Sequence, residues 1–299
     1  MVRKASGYIH GMKKAFRLSR WLVCLALTGI VSCQTTRDPA PIPTAPSGLP
    51  EHLTLGNPSG AVTDMNQPTN YLLAKAQYAL SYHRDQGKPN WVSWHLDASW
   101  LGSAARQDDF RADPDLPAGW YQVSASSYSG SGFDRGHNCP SADRTRTVAD
   151  NSATFLMSNM MPQAPRNNQQ TWANLEDYCR TLVGQGNELY VICGSYGRGG
   201  TGANGYLTTL DQGRVTVPAH CWKVVVVLPT GTNDAARVTS TTRVIAIDTP
   251  NDNALSTTWG SYRTSVDAIE AATGLDVLSA VATPVQQVVE ARTDSGPTS

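Results

Sequence analysis

Four consecutive valines, Val224-Val225-Val226-Val227, sit inside an apolar run from Trp222 to Leu228. Branching at the β-carbon favours extended backbone, and a run without polar alternation has no face to offer water. Such a run reads as the central strand of a sheet covered on both faces, so other elements must pack above and below it. Further strand candidates are Glu188 to Cys193 and Arg243 to Ile247. Two aromatic-rich runs, Tyr71 to Tyr82 and Trp91 to Leu96, are joined by a polar turn at Asp85-Gln86-Gly87-Lys88-Pro89. Val92, Trp94 and Leu96 alternate with Ser93 and His95, the pattern of a half-buried strand. Two segments read as helices. From Asn168 to Val183, Leu175, Cys179 and Leu182 recur at three- and four-residue spacing. Glu176 and Arg180 lie four apart beside that stripe, so they share a face and can pair. Thr264 to Thr273 has Thr264 and Asp267 as a capping pair and Gly274 as its stop.

The two ends of the chain differ from this middle. The first 32 residues hold six basic residues (Arg3, Lys4, Lys13, Lys14, Arg17 and Arg20) and no acidic one. An apolar run from Trp21 to Ile30 follows, too short to span a bilayer comfortably. Basic stretch and apolar run together read as an export signal over residues 1–32. Ile30-Val31-Ser32-Cys33 resembles a bacterial lipobox, in which Cys33 would become the acylated first residue. Gln34 rather than Asp follows it, which points to the outer membrane of the cell envelope. An ordinary secretory signal, with a secreted product and an incidental cysteine, is the alternative. Residues 33–60 are rich in proline and small residues and read as an extended linker. The folded domain is expected over 61–282, and 283–299 lacks an apolar period and reads as a flexible tail.

Charge narrows the function classes. The whole chain has 24 basic and 24 acidic residues, but beyond the export segment 18 basic residues face 24 acidic ones, a net charge near −6. Global charge therefore gives no support for nucleic-acid binding, and any attraction for phosphate is local. Four cysteines follow Cys33: Cys139, Cys179, Cys193 and Cys221. An exported protein can oxidise them, and four allow three pairings. Their spacing lacks the C-x-x-C of a structural zinc site.

The chemistry concentrates in one stretch, Asp134-Arg135-Gly136-His137-Asn138-Cys139-Pro140-Ser141-Ala142-Asp143-Arg144. Asn159, Asn168, Glu176 and Arg180 follow. Metal-assisted cleavage of a phosphodiester needs a base, a cation and positive donors for the nonbridging oxygens. His137 can act as base near neutral pH. Asn168 offers a hard neutral oxygen suited to Mg2+, which keeps most of its waters. Arg106, Arg135, Arg144 and Arg180 are candidate phosphate clamps.

These residues resemble the DNA/RNA non-specific endonucleases, the endonuclease G-like ββα-metal nucleases. The likeness rests on Asp134-Arg135-Gly136-His137, on Pro140-Ser141-Ala142-Asp143-Arg144, and on Asn159, Pro162-Gln163, Asn168, Trp172 and Leu175-Glu176. It extends upstream to Tyr78-Ala79-Leu80-Ser81-Tyr82 and Pro89-Asn90-Trp91-Val92, and downstream to Val217-Pro218-Ala219-His220 and Trp222-Lys223-Val224-Val225. The resemblance implies an α+β fold: a mixed, mainly antiparallel central sheet flanked by helices and carrying a ββα-metal nuclease site. It implies His137 as general base and Asn168 as the direct protein ligand to Mg2+, with Mn2+ as a substitute. Glu176 matches a carboxylate that holds metal-bound water and orients the site, Asp134 braces the motif, and Asn159 supports the base and the scissile phosphate. Arg135, Arg180 and Arg106 match phosphate-binding or transition-state-stabilising arginines. The adjacent Asn167 competes with Asn168 for the ligand role; the distance from Asn168 to Trp172 and Glu176 fits the family pattern. Cys139 stands where many relatives carry an aliphatic residue or alanine, and a disulfide there would fix the loop.

The expected activity is cleavage of DNA and RNA by water attack, leaving 5′-phosphate ends, in a protein tethered to a membrane through Cys33. A protein inhibitor or a homodimer is compatible with this reading. Two alternatives remain: an envelope lipoprotein that binds nucleic acid or a partner without cleaving, and a phosphodiesterase for small substrates. Trp91, Trp94, Trp172 and Trp222 are expected in the core rather than as base-stacking platforms, and His220 is expected to be structural.

Overall fold

A computed structural model describes residues 51–299. The export segment 1–32, Cys33 and the first part of the linker, 33–50, lie outside the described residues. The elements in chain order are β1 (Tyr71–Ala74), β2 (Ala79–His83), β3 (Lys88–Leu96), β4 (Asp134–His137), α1 (Val148–Ala153), β5 (Met160–Gln163) and α2 (Ala173–Gly184). Then come β6 (Asn187–Tyr196), the short strands β7 (Gly200–Gly202), β8 (Gly205–Leu207), β9 (Thr209–Leu210) and β10 (Val215–Thr216), and β11 (His220–Pro229). The chain closes with α3 (Asp234–Arg237), β12 (Arg243–Pro250), β13 (Arg263–Thr264), α4 (Val266–Thr273) and α5 (Thr283–Val289).

Seven strands form one sheet in the order β1-β2-β3-β6-β11-β12-β13, and every pairing in it is antiparallel. The valine run is central, as its composition demands: Val224 lies opposite Ile192 of β6 on one side and Ala246 of β12 on the other. Successive residues of β11 serve opposite faces. Cys221 and Val225 join Trp94, Trp172, Leu175, Cys179 and Leu182 in the layer under α2. Trp222, Val224, Val226 and Leu228 join Leu53, Val266, Ile269, Leu278 and Val289 in the layer on the other face. Each such valine removed from water contributes roughly 1.5–3 kcal/mol. All four named tryptophans are buried, as expected.

That second layer corrects both terminal assignments. Residues 51–60, read as linker, begin with a one-turn 3-10 helix, Glu51–Leu53. His52, Leu53 and Leu55 are buried. They cover the side of β3 that the alternation assigned to solvent: Ser93 donates to the His52 carbonyl at 2.6 Å and the His95 amide donates to His52 Nδ1 at 3.2 Å. Burial pushes the His52 imidazole down to about 4. Residues 283–299, read as a flexible tail, form α5 and then tie back to the sheet: Val289 is buried, and Asp294 pairs with Arg243 and Arg263. Val285, Val288 and Val289 recur at three- and four-residue spacing, but in a helix of seven residues that pattern is too short to stand out.

Three local expectations also change. The run from Tyr71 to Tyr82 is two strands of a hairpin rather than one. Ser265, not Thr264, caps α4 by accepting from the Ala268 amide at 3.1 Å, while Gly274 ends it at φ 72° as expected. Cys139, Cys179, Cys193 and Cys221 are free, buried thiols, so no disulfide fixes the loop at Cys139. All four sit in the layer under α2, where they act as small apolar side chains. Burial pushes the Cys139 and Cys179 thiols up to about 12.

A chain ended after residue 282 loses the Val289 contact and the ion pairs of Asp294. Its thermal midpoint is expected to fall by at least about 4 °C, read by circular dichroism. An unchanged midpoint would restore the flexible-tail reading.

Candidate active site

β4 and β5 pair antiparallel, with Asp134 opposite Gln163 and His137 opposite Met160. The chain then turns directly into a helical stretch that opens as a π-helix, Asn167–Trp172, and continues as α2. This is a ββα unit. The strands approach so closely that only glycine fits at position 136: a β-carbon there would lie 2.3 Å from Gln163 Oε1. A π turn is a frequent marker of a functional site. Here it separates two neighbouring amides. Asn167 is buried and donates to Thr249 Oγ1 at 3.1 Å, whereas Asn168 lines a cleft.

That cleft has a volume of about 420 Å³ and is walled by Arg106, Arg135, Asp134, Asn168 and Gln169, with Phe110, Phe133 and Tyr128 as its apolar side. Asp134 Oδ2 accepts from Asn168 Nδ2 at 2.8 Å and from Gln169 Nε2 at 2.9 Å. The bond orients the Asn168 amide and leaves its carbonyl oxygen as the remaining polar atom. Arg135 lies over the Phe110 ring at 4.0 Å, and Arg106 over the Phe155 ring at 4.8 Å. Arg106 also donates to Asp108 and to Ser141 Oγ.

His137 lies against the same two phenylalanines, edge-on to Phe110 at 5.5 Å and to Phe155 at 4.9 Å. Its Nε2 is buried without a hydrogen-bond partner among the described residues. Burial, reinforced by the positive charges of Arg106 and Arg135, pushes its imidazole down to about 3. The ring is therefore neutral at pH 7. Asn159 braces the turn after it: Oδ1 accepts from the Cys139 amide at 3.0 Å, and Nδ2 donates to the carbonyls of Cys139 and Thr154. All of these bonds are internal, so Asn159 holds the His137 loop rather than facing the cleft.

Glu176 does not pair with Arg180. Its carboxylate takes Lys223 Nζ of β11 at 2.9 Å, and that ammonium lies 4.2 Å from the centre of the Trp172 ring. Burial, the largest influence on Glu176, pushes its carboxyl up against the pull of Lys223. Burial, the largest single influence, works to lower Lys223, but the charge and hydrogen bond of Glu176 together with Cys193 and Cys179 push it up on balance. Arg180 instead pairs with Asp143 at 2.7 Å and with Asp177. Asp143 also accepts from Trp94 Nε1 at 3.0 Å, so it joins α2 to β3.

Arg144 is not a phosphate clamp. It is fully buried and donates to the carbonyls of Gln77, Asp143 and His95. His220 is half-exposed; it stacks on Tyr196 and contacts Asp248 at 3.1 Å. The partners that sequence reasoning missed are Phe110, Phe155 and Lys223. Lys223 carried a signal: a charge inside an unbroken apolar strand needs a buried counter-charge. The phenylalanines carried none.

Asn168 is the amide oxygen in this unit that could hold a divalent metal, and the cleft it lines leaves room for the waters of the ion; Glu176 is buried against Lys223 beside that unit. A second grouping, His95, Glu188 and Asp234, has the geometry of a metal cluster. Arg237 already bonds both Glu188 and Asp234, supplying the positive charge there.

His137 makes the fold acid-sensitive. An unfolded histidine takes up a proton near pH 6.5, whereas the folded ring stays neutral down to about 3. Unfolding therefore binds a proton throughout that window, and stability falls as pH drops from about 6.5. His137→Phe is expected to remove about 1.4 kcal/mol per pH unit from the slope of unfolding free energy between roughly pH 6 and 4. Urea titrations across that range measure it; an unchanged slope would mean the ring is solvated.

The family description "DNA/RNA non-specific endonuclease" matches residues 56–283. A nuclease from Nostoc sp. is 51% identical over 267 residues, 89% of this chain and 94% of the relative. Nuclease C1 of Cunninghamella echinulata var. echinulata is 35% identical, over 68% of this chain and 81% of the relative. Human mitochondrial endonuclease G is 33% identical over 54% of this chain and 56% of its own length. Among solved structures, endonuclease G in the EndoG/EndoGI complex superposes with a TM-score of 0.62 at 23% identity, covering 77% of this chain and 91% of that one. That likeness speaks for the fold, and it is the α+β, ββα-metal fold expected. With its ββα unit formed by the matched residues, this chain belongs to the DNA/RNA non-specific endonuclease family.

Proposed function

We propose that the protein is a Mg2+-dependent endonuclease that hydrolyses DNA and RNA with little sequence preference, leaving 5′-phosphate ends. The observation that carries this reading is the cleft itself: Arg106 and Arg135 line it together with Asp134 and Asn168, and both arginines lie against the aromatic rings that frame a neutral His137. Arg106 and Arg135 bind the nonbridging oxygens of the scissile phosphate, and the negative charge they receive offsets their depressing effect on His137. The ring then takes a proton from the attacking water. Asn159 holds the loop that carries His137, and Asp134 holds the Asn168 amide in orientation. Asn168 would hold the metal directly and Glu176 would hold one of its waters; the ion, when bound, would supply positive charge against the phosphate and the departing 3′ oxygen. Arg180, with Asp143 and Asp177, keeps the Glu176 helix in place.

Contacts of this kind read backbone rather than bases, so affinity falls with salt. The sequence features of residues 1–33 support export and a lipid anchor at Cys33 in the cell envelope. The fold neighbour was solved in the EndoG/EndoGI complex, described as a mechanism of EndoG inhibition; an inhibitor acting on this chain would be expected at the cleft.

Plasmid nicking tests the reading. Activity with Mg2+ is expected to vanish in EDTA and to drop by about 10²- to 10⁴-fold in His137→Ala. Arg106→Ala is expected to lose on the order of 10²-fold while keeping its melting midpoint. Arg144→Ala is expected to do the reverse, losing stability through three carbonyls left without a donor. Nicking that persists at full rate in His137→Ala would sink the mechanism. Cleavage of small phosphodiesters but not of polymer by the wild type would favour the small-substrate enzyme.

A further inference from the structure

The far face of the sheet carries a group of carboxylates that the nuclease site does not use. Asp267 and Glu270 lie three apart on α4, and Glu290 sits at the end of α5. One oxygen from each lies within 4.8 Å of the others. Two oxygens that both ligate Ca2+ at about 2.4 Å can be at most about 4.8 Å apart. Glu290 is 6% exposed, and its Oε1 is buried without a hydrogen-bond partner among the described residues. The charged groups that act on it are Glu270, Asp276 and Asp267, all of one sign. A buried carboxylate among like charges is costly unless a cation or a proton joins it.

We propose that Asp267, Glu270 and Glu290 form a second divalent-cation site, of calcium type, that fastens α5 to α4. Three carboxylates with flexible geometry suit Ca2+, whereas Mg2+ keeps more of its waters and takes fewer carboxylates. The helices already meet here through the backbone, the Asp267 amide donating to the Glu290 carbonyl at 3.1 Å. A bound cation adds a side-chain clamp at the same junction. Its role is structural, independent of the nuclease centre on the opposite face.

Thermal melting of the full chain at pH 8, with the carboxyls ionised, tests this. A site with a dissociation constant of roughly 10⁻⁴ to 10⁻³ M raises the midpoint by about 3–10 °C at about 10 mM CaCl2. That rise is expected in the wild type and in Asn168→Ala, which removes the proposed ligand of the nuclease centre. It is expected to vanish in Glu290→Gln and in the more exposed Glu270→Gln. Both glutamine variants should melt no lower than the wild type without calcium and should retain its nuclease activity. Equal concentrations of MgCl2 should stabilise Asn168→Ala less than CaCl2 does. A calcium response that persists in Glu270→Gln, one that disappears in Asn168→Ala, none in the wild type, or an equal response to Mg2+ in Asn168→Ala would each overturn the assignment.

Discussion

A strand with no wet face has to be covered twice, and most of this architecture follows from that demand in β11. One face is covered by α2 together with β5, two elements of the ββα unit, whose strand β4 carries Asp134, Arg135 and His137. The other is covered by the two ends of the domain, residues 51–55 from one side and α4 and α5 from the other. Neither end has enough apolar surface to fold alone. Each is held because the sheet offers it a partner, so segments that look like linker and tail become structural.

The same strand ties the active site to the core. Lys223 shares a face of β11 with Cys221 and Val225 and reaches Glu176 across Trp172. A buried ion pair of this kind adds little net stability, because desolvation cancels much of the attraction, but loss of one partner leaves an expensive lone charge. The pair therefore works as a registration device. It sets where α2 lies on the sheet, and with it Asn168, which the π turn swings toward the cleft while Asn167 goes to the interior. Asp143 acts similarly, linking Trp94 of β3 to Arg180 of α2. The nuclease cleft is thus supported by Lys223, Trp94 and Asp143, none of which lines it.

Much of the candidate site was legible because its residues are close in sequence and each has one chemistry. Asp134, Arg135 and His137 belong to one short strand, and Asn168 and Glu176 to one helical stretch. Asp134, Arg135 and Asn168 line one cleft. Arg144 was misjudged because composition ranks all arginines alike; only the three carbonyls around it reveal a structural role. The Glu176–Arg180 pairing failed for a related reason. Helical spacing permits a contact, but both groups found stronger partners from elements far away in the chain.

Local pattern determined the central strand, the α2 stripe, the glycine stop of α4 and the motif that identifies the family, since each depends on the chemistry of residues near one another. Tertiary structure decided which asparagine faces the cleft, which arginine is free to meet a phosphate, that the four cysteines stay as thiols, and that both ends of the domain belong to its core. Those outcomes depend on burial and on partners tens to hundreds of residues away, such as Glu51 beside His95, 44 positions on. No window along the chain contains both members of such a pair.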